Sequence, residues 1–261
     1  MAPRKVQDLT VSDFMTSDIV WASPDDELGE VLGSMKKHDL HEIPVGTRGR
    51  LTGVLTMREL MKRHALPPST KVSTIVSQAP EVTQETPLPE AAEMLITTGY
   101  RALPVVRKKK VVGIISRTDL VRALVESDSL SGLVLREFMT PNPQGVSEEE
   151  TVDRAVHVMQ SLGERAIPVV DRNRRLKGAV GMKDVVDLFA QPKVRKQYGD
   201  YATRHDKVEI EVKSVMHTPA VTIGWESDLH RAAERMLKED VSSVFVTEDE
   251  EPVGSVSNPD L

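Results

Sequence analysis

Apolar residues recur at i, i+3, i+4 and i+7 in four stretches of the chain. These are Leu28, Val31, Leu32, Met35; Leu88, Ala91, Ala92, Leu95; Val152, Ala155, Val156, Met159; and Leu229, Ala232, Ala233, Met236. That spacing is the stripe of a helix buried along one face. Each stripe is followed by a short apolar run, HEIPV, RALPVV, RAIPVV or SSVFVT, of the kind that forms a buried strand. Next come GVLTMREL, GIISRTDL, GAVGMKDV and GSVSNPDL, starting at Gly53, Gly113, Gly178 and Gly254. The glycines are 60, 65 and 76 residues apart. This period exceeds that of the common solenoid units and suits a small domain.

The second repeat is the easiest to read. Val72, Ile75 and Val76 form an apolar lead-in, and Glu81 to Thr83 a short strand. Pro87 opens a helix, where its missing N–H is harmless, and Gly99 ends it. Leu103 to Val106 and Val111 to Ile115 predict two strands joined by a tip at Lys108 to Lys110, a solvated charge run. Ser116 begins a second helix that runs to Val125. The order is β-α-β-β-α, and the expected fold class is α/β with four tandem repeats, at 8–66, 71–127, 133–190 and 209–261. A polar connector with Tyr198 and Tyr201 precedes the fourth repeat, which stops at Leu261 where its last helix should begin, so that helix is either lost or carried by a continuing chain. Units this small are near the lower limit for burying a core alone, so pairing into modules 1–127 and 133–261 is expected.

Composition narrows the function. The 261 residues carry a net charge of −6, which opposes nucleic-acid binding through bulk electrostatics. There is no cysteine, which excludes disulfides, thiolate metal sites and a cysteine nucleophile. No apolar run approaches the ~18 residues of a membrane span, and the N-terminus has no apolar signal core, so a cytoplasmic protein is expected. The seven histidines show no metal-ligand spacing, and Met216-His217-Thr218 reads as loop. The eleven methionines fit core packing better than a cofactor site. No nucleophile elbow, P-loop or dinucleotide fingerprint occurs, so binding without catalysis is the economical reading.

Four β-α-β-β-α repeats with h-P-V-V followed by G-h-h-[ST]-x-x-D resemble CBS domains, which pair into Bateman modules. Four in one chain is also the layout of the gamma subunit of AMP-activated protein kinase. The resemblance implies adenine nucleotides, AMP, ADP or ATP, bound in clefts between paired repeats. It also implies that the helix stripes bury one repeat against its partner. A regulated partner protein is implied without being identifiable, and the modules could close within one chain or through a homodimer. Two other readings are an interaction module with vestigial clefts, and a different adenosyl ligand such as S-adenosylmethionine or a dinucleoside polyphosphate.

The strand-to-helix turn carries the expected chemistry. A carboxylate can accept from both ribose hydroxyls, and a helix N-terminus offers N–H groups and partial positive charge to a phosphate. The resemblance assigns this role to Ser116 with Asp119 and Ser257 with Asp260. Thr56 is followed by Glu59, which reads better as a capping box, and Gly181 replaces the hydroxyl residue before Asp184, which stays among the candidate ligand residues. In the family, the cleft is completed by the first strand of the partner repeat. FMTSDIV and FMTPNPQGV carry Met-Thr in the odd repeats, giving two complete sets. One is Thr16, Ile19 and Val20 with Ser116 and Asp119; the other is Thr140 and Val146 with Ser257 and Asp260. Three residues before the core proline stand His41, Arg101 and Arg165, a position that can face phosphates in the family; Ser242 is the counterpart in the fourth repeat. Arg117 and Lys183, inside the turns, are the next cations in reach.

Overall fold

The structure, a computed structural model, describes residues 4–38, 40–56, 59–60, 66–190, 193–194, 197 and 209–261. The connector tyrosines Tyr198 and Tyr201 lie outside the described residues. Cα packing divides the chain into two units, Met1–Ser129 and Leu130–Leu261.

In the first unit, the first repeat contributes α1 (Leu28–Lys37) and the hairpin β1 (Glu42–Thr47) and β2 (Arg50–Thr56). The second contributes α2 (Leu88–Thr98), the hairpin β3 (Ala102–Arg107) and β4 (Lys110–Ser116), and α3 (Arg117–Glu126). Pro87 sits one residue before α2, and Gly99 closes it in the left-handed region at φ 71°. In the second unit, the third repeat contributes β5 (Thr140–Pro141), β6 (Val146–Ser147), α4 (Val152–Leu162), β7 (Ala166–Val170), β8 (Leu176–Gly181) and α5 (Met182–Ala190). The fourth contributes β9 (Thr222–Gly224), α6 (Leu229–Lys238), β10 (Ser243–Glu248) and β11 (Glu251–Ser257), then one 3-10 turn at Asn258–Asp260. Each hairpin shifts register at the same place, after Val45, Val105, Val169 and Val246. No helix among the described residues is long and apolar enough to cross a membrane.

The stripes are buried mainly against the strands of their own repeat, and they meet the partner repeat through its lead-in. Leu28, Val31 and Met35 pack with Ile43, Val45 and Leu55 of their own repeat. Ala155, Val156 and Met159 pack with Ile167, Val169 and Val180 of theirs. What crosses between repeats is the lead-in. Val72 and Ile75, ahead of the second repeat, complete the core of the first. Leu9 and Val11, ahead of the first, complete the core of the second. Val212, ahead of the fourth, completes the core of the third. A β-α-β-β-α unit leaves one side of its hairpin uncovered, and its partner's lead-in closes it.

The exchange explains the motif glycines. Thr16 bridges Ile114, Ser77 bridges Val54, and His217 bridges Ala179, all antiparallel. Thr140 pairs with Ser255. The lead-in therefore lies across the partner strand at the motif glycine. A Cβ at Gly178 would stand 2.5 Å from the His217 carbonyl oxygen, and one at Gly53 2.8 Å from that of Ser77. Gly33, within α1, has open space beside it. Gly178→Ala is therefore expected to destabilise the second unit by about 1–3 kcal/mol, as overpacking does. Gly33→Ala should stabilise by about 0.5–1 kcal/mol through helix propensity. Urea unfolding of the two variants checks the contrast in sign.

Candidate functional site

Each lead-in continues from its partner's strand to its own. Thr16 pairs with β4, and six residues later Ala22 pairs with Val45 of β1. Thr140 pairs with β11, and Val146 with Val169 of β7. The stretches 16–22 and 140–146 thus span from one repeat to the other, beside the strand that enters the partner's turn. Thr16 is held by both backbone bonds to Ile114, each 2.9 Å, two residues before Ser116. Thr140 is exposed, and Val20 packs on the core of the first repeat. Val146 is 2% exposed and belongs to a core, so its side chain faces away from any ligand. Only its backbone is available to one.

At the Ser116 turn, Asp119 Oδ2 accepts from the Ser116 N–H at 2.9 Å and from Ser116 Oγ at 2.6 Å. Its Oδ1 accepts from Arg122 at 2.9 Å. Asp119 is buried, whereas Arg122 is about half exposed and can swing away. At the Ser257 turn, Asp260 Oδ2 accepts from the Ser257 N–H and Oγ, both at 2.7 Å. Asp260 Oδ1 shows no partner among the described residues. At the Thr56 turn, Thr56 Oγ1 accepts from the Glu59 N–H at 3.1 Å, half of a capping box.

Asp184 differs from the other turn aspartates. Its Oδ2 accepts from the Gly181 N–H at 2.7 Å, and its Oδ1 contacts His217 Nε2 at 2.5 Å. His217 occupies the place that Thr16 and Thr140 hold in the odd lead-ins, so the fourth lead-in fills this turn with its own imidazole. Its sequence neighbourhood alone reads as loop. The signal was its position at the Met-Thr slot of SVMHTPAV, not any metal-ligand spacing.

The cations are distributed unevenly. The Arg101 carbonyl accepts from Arg117 N at 3.0 Å, and that of Arg165 from Met182 N at 2.9 Å, so both arginines adjoin their own turns. Ser242 makes the same bond to Asn258. Arg117 is engaged within its own repeat. Its guanidinium donates to the Leu95 and Tyr100 carbonyls at 2.8 and 3.2 Å, tying down the end of α2. Lys183 is exposed on the first turn of α5. Sequence reasoning missed Glu42, which precedes the core of β1 beside His41. Its carboxylate accepts from the Arg101 and Ala102 N–H groups at 3.0 and 2.9 Å and joins the two repeats next to Arg101.

Glu164 marks the other unit. Burial, and then the Asp260 carboxylate, push its carboxyl above the usual carboxylate range. A raised folded value means that the contribution of Glu164 to stability is present below the ordinary value near 4.5 and is lost as pH rises through the folded one. Glu164→Gln should therefore raise the melting temperature at pH 7 and leave it unchanged at pH 4. Melting curves at the two pH values check the sign.

The CBS domain profile matches four segments, 11–65, 72–126, 135–191 and 212–261. The uncharacterized protein MJ1404 of Methanocaldococcus jannaschii is 25% identical over 256 residues, covering 96% of this chain and 60% of that protein. The chain thus spans about three-fifths of that relative's length. A 33.4 kDa protein of Thermofilum pendens, in a ribosomal RNA operon, is 24% identical over 279 residues, covering 98% and 90%. The crystal structure of protein MJ1225 from Methanocaldococcus jannaschii shares the fold, with a TM-score of 0.76 at 19% identity over 97% of this chain and 98% of that one. With four matches in register and the exchanged lead-ins pairing them, the chain belongs to the CBS domain family as two Bateman modules in tandem.

Proposed function

We propose that the chain is a non-catalytic regulatory module that binds adenine nucleotides, AMP, ADP or ATP, at one cleft in each unit. The repeats act in pairs, 1–127 and 133–261. The observation that carries this reading is a coincidence found twice. A turn with both hydroxyl and carboxylate lies at the end of the strand on which a Met-Thr lead-in is paired, at Ser116/Asp119 with Thr16 and at Ser257/Asp260 with Thr140. In each cleft the aspartate accepts from the ribose hydroxyls, while N–H groups at the turn and the adjacent backbone meet the rest of the ligand. His41 and Arg101 serve the phosphates in the first unit and Arg165 in the second. The Thr56/Glu59 and Gly181/Asp184 turns serve the fold, the first as a cap and the second closed by His217.

The two clefts are not equivalent. Arg101 and Arg122 surround the first, whereas the acid Glu164 adjoins the second and Ser242 replaces an arginine at its turn. ATP accordingly favours the first cleft, and less charged ligands the second. Occupancy alters the arrangement of paired repeats only through unequal affinity for two states, and a regulated partner reads that difference. A thermal-shift panel of adenosine, AMP, ADP and ATP tests the reading. Ligand at ~100 times its dissociation constant stabilises by ~2.7 kcal/mol. A rise with the nucleotides is expected. Unchanged melting with all four ligands would favour vestigial clefts.

A further inference from the structure

The hairpin tips carry charge that the clefts do not use. In the first unit, the β1–β2 tip has Arg48 and Arg50, and the β3–β4 tip has Arg107, Lys108, Lys109 and Lys110. All six are exposed, and none shows an ion pair among the described residues. The tips touch: Val111 N donates to the Gly49 carbonyl at 2.9 Å, and a Cβ at Gly49 would lie 3.9 Å from Lys110 Cβ. Lys108 and Lys109 both adopt the left-handed region, at φ 51° and 63°, where side chains other than those of Asn, Asp and Gly are disfavoured. Arg107 stands directly opposite Lys110, a like-charge pair that weakens a hairpin. The left-handed turn belongs to the hairpin itself, since Asp249 and Glu250 adopt it in the second unit, but the proposed nucleotide sites make no use of the cations it carries here.

The second unit shows the same two tips with their charge balanced. One carries Arg172, Arg174 and Arg175; the other, Glu248 to Glu251, is wholly acidic. Leu176 N donates to the Glu250 carbonyl at 2.9 Å, and Arg175 pairs with Glu250 at 3.3 Å. In the second unit the basic tip thus has the short acidic segment as its neighbour. In the first unit a second basic tip stands in the place of the acidic one, so the balancing carboxylates are absent from the pair.

We propose that the paired tips of the first unit, Arg48–Arg50 and Arg107–Lys110, dock an acidic segment of a partner protein, a short run of Asp and Glu. Taking these six cations from a net charge of −6 leaves −12 on the rest of the chain. A long polyanion such as nucleic acid would have to run from the tips over that acidic remainder. A short acidic peptide would not. The contact is electrostatic and exposed, so it weakens with salt.

The test uses the full chain, a labelled oligo-glutamate peptide and a single-stranded oligonucleotide of equal charge, at low salt. The variant is Arg48→Asn/Lys108→Asn/Lys109→Gly. It removes three charges and installs Asn-Gly, the pair that two-residue turns with positive φ prefer, so it should melt no lower than the parent. An exposed ion pair changes affinity by about 1.4- to 5-fold, so the variant should bind the peptide about tenfold more weakly. Absence of peptide binding, or equal binding by parent and variant, overturns the proposal. Tighter binding of the oligonucleotide than of the peptide also overturns it and makes the surface one for nucleic acid.

Discussion

Asp119→Ala is expected to weaken adenosine and AMP binding at the first cleft by tenfold or more, while Glu59→Ala leaves affinity nearly unchanged. A hydrogen bond to a charged group is worth about 1.5–3 kcal/mol, and 1.4 kcal/mol is a factor of ten. Asp119→Ala removes the side chain that accepts from the Ser116 N–H and hydroxyl, whereas Glu59→Ala keeps the backbone N–H from which Thr56 Oγ1 accepts. Ligand affinity, not stability, therefore separates a nucleotide site from a cap. Adenosine is the informative ligand, because Asp119→Ala also releases Arg122, whose freed charge could hold a phosphate and mask the loss. Isothermal titration of both variants with adenosine and AMP measures this. Equal losses would make the Ser116 turn a cap and nothing more.

The second large effect is expected at the turn that carries no proposed ligand. His217→Ala should destabilise the second unit by about 1–3 kcal/mol. It removes the partner of Asp184 Oδ1 and leaves a largely buried carboxylate oxygen unsatisfied. His217→Thr, which restores the residue found at Thr16 and Thr140, should cost a similar amount, since the shorter hydroxyl does not replace the imidazole bond. Neither should alter nucleotide affinity. Urea unfolding of the two variants checks the cost. Changes within ±0.5 kcal/mol, the usual range for an uninvolved surface position, would show that the contact does not hold the turn.

The repeat, the stripes and the hairpins were legible because each is a local periodicity: 3.6 for Leu28 to Met35, and a short apolar run for Leu103 to Val106. Gly99 and Ser116 mark helix ends by backbone and side-chain chemistry that needs no distant partner. The exchange of lead-ins was legible only through the resemblance, which set Thr16 beside the Ser116 turn, and not from the residues themselves. Val72 and Ile75 are apolar in either arrangement, and nothing local says which repeat they cover. The reason for the motif glycines was hidden with it, since a clash between a Cβ at Gly178 and the His217 carbonyl exists only once the strands cross. Among the candidate site residues, Val146 proved to be core. Arg117 is bonded to carbonyls of its own repeat, and Asp184 is bonded to His217. All three depend on contacts between segments far apart in sequence. The two basic tips illustrate the same limit. Lys108 to Lys110 alone reads as a solvated turn, and only the fold brings Arg48 and Arg50 beside it.

The central claim is that each unit holds one adenine nucleotide at a turn aspartate opposite a Met-Thr lead-in. The most direct measurement is the calorimetric stoichiometry of AMP on the intact chain and on Asp119→Ala, Asp260→Ala and the double variant. The account predicts two sites in the parent, one in each single variant and none in the double variant. A double variant that binds AMP with the parent's stoichiometry and affinity would contradict it.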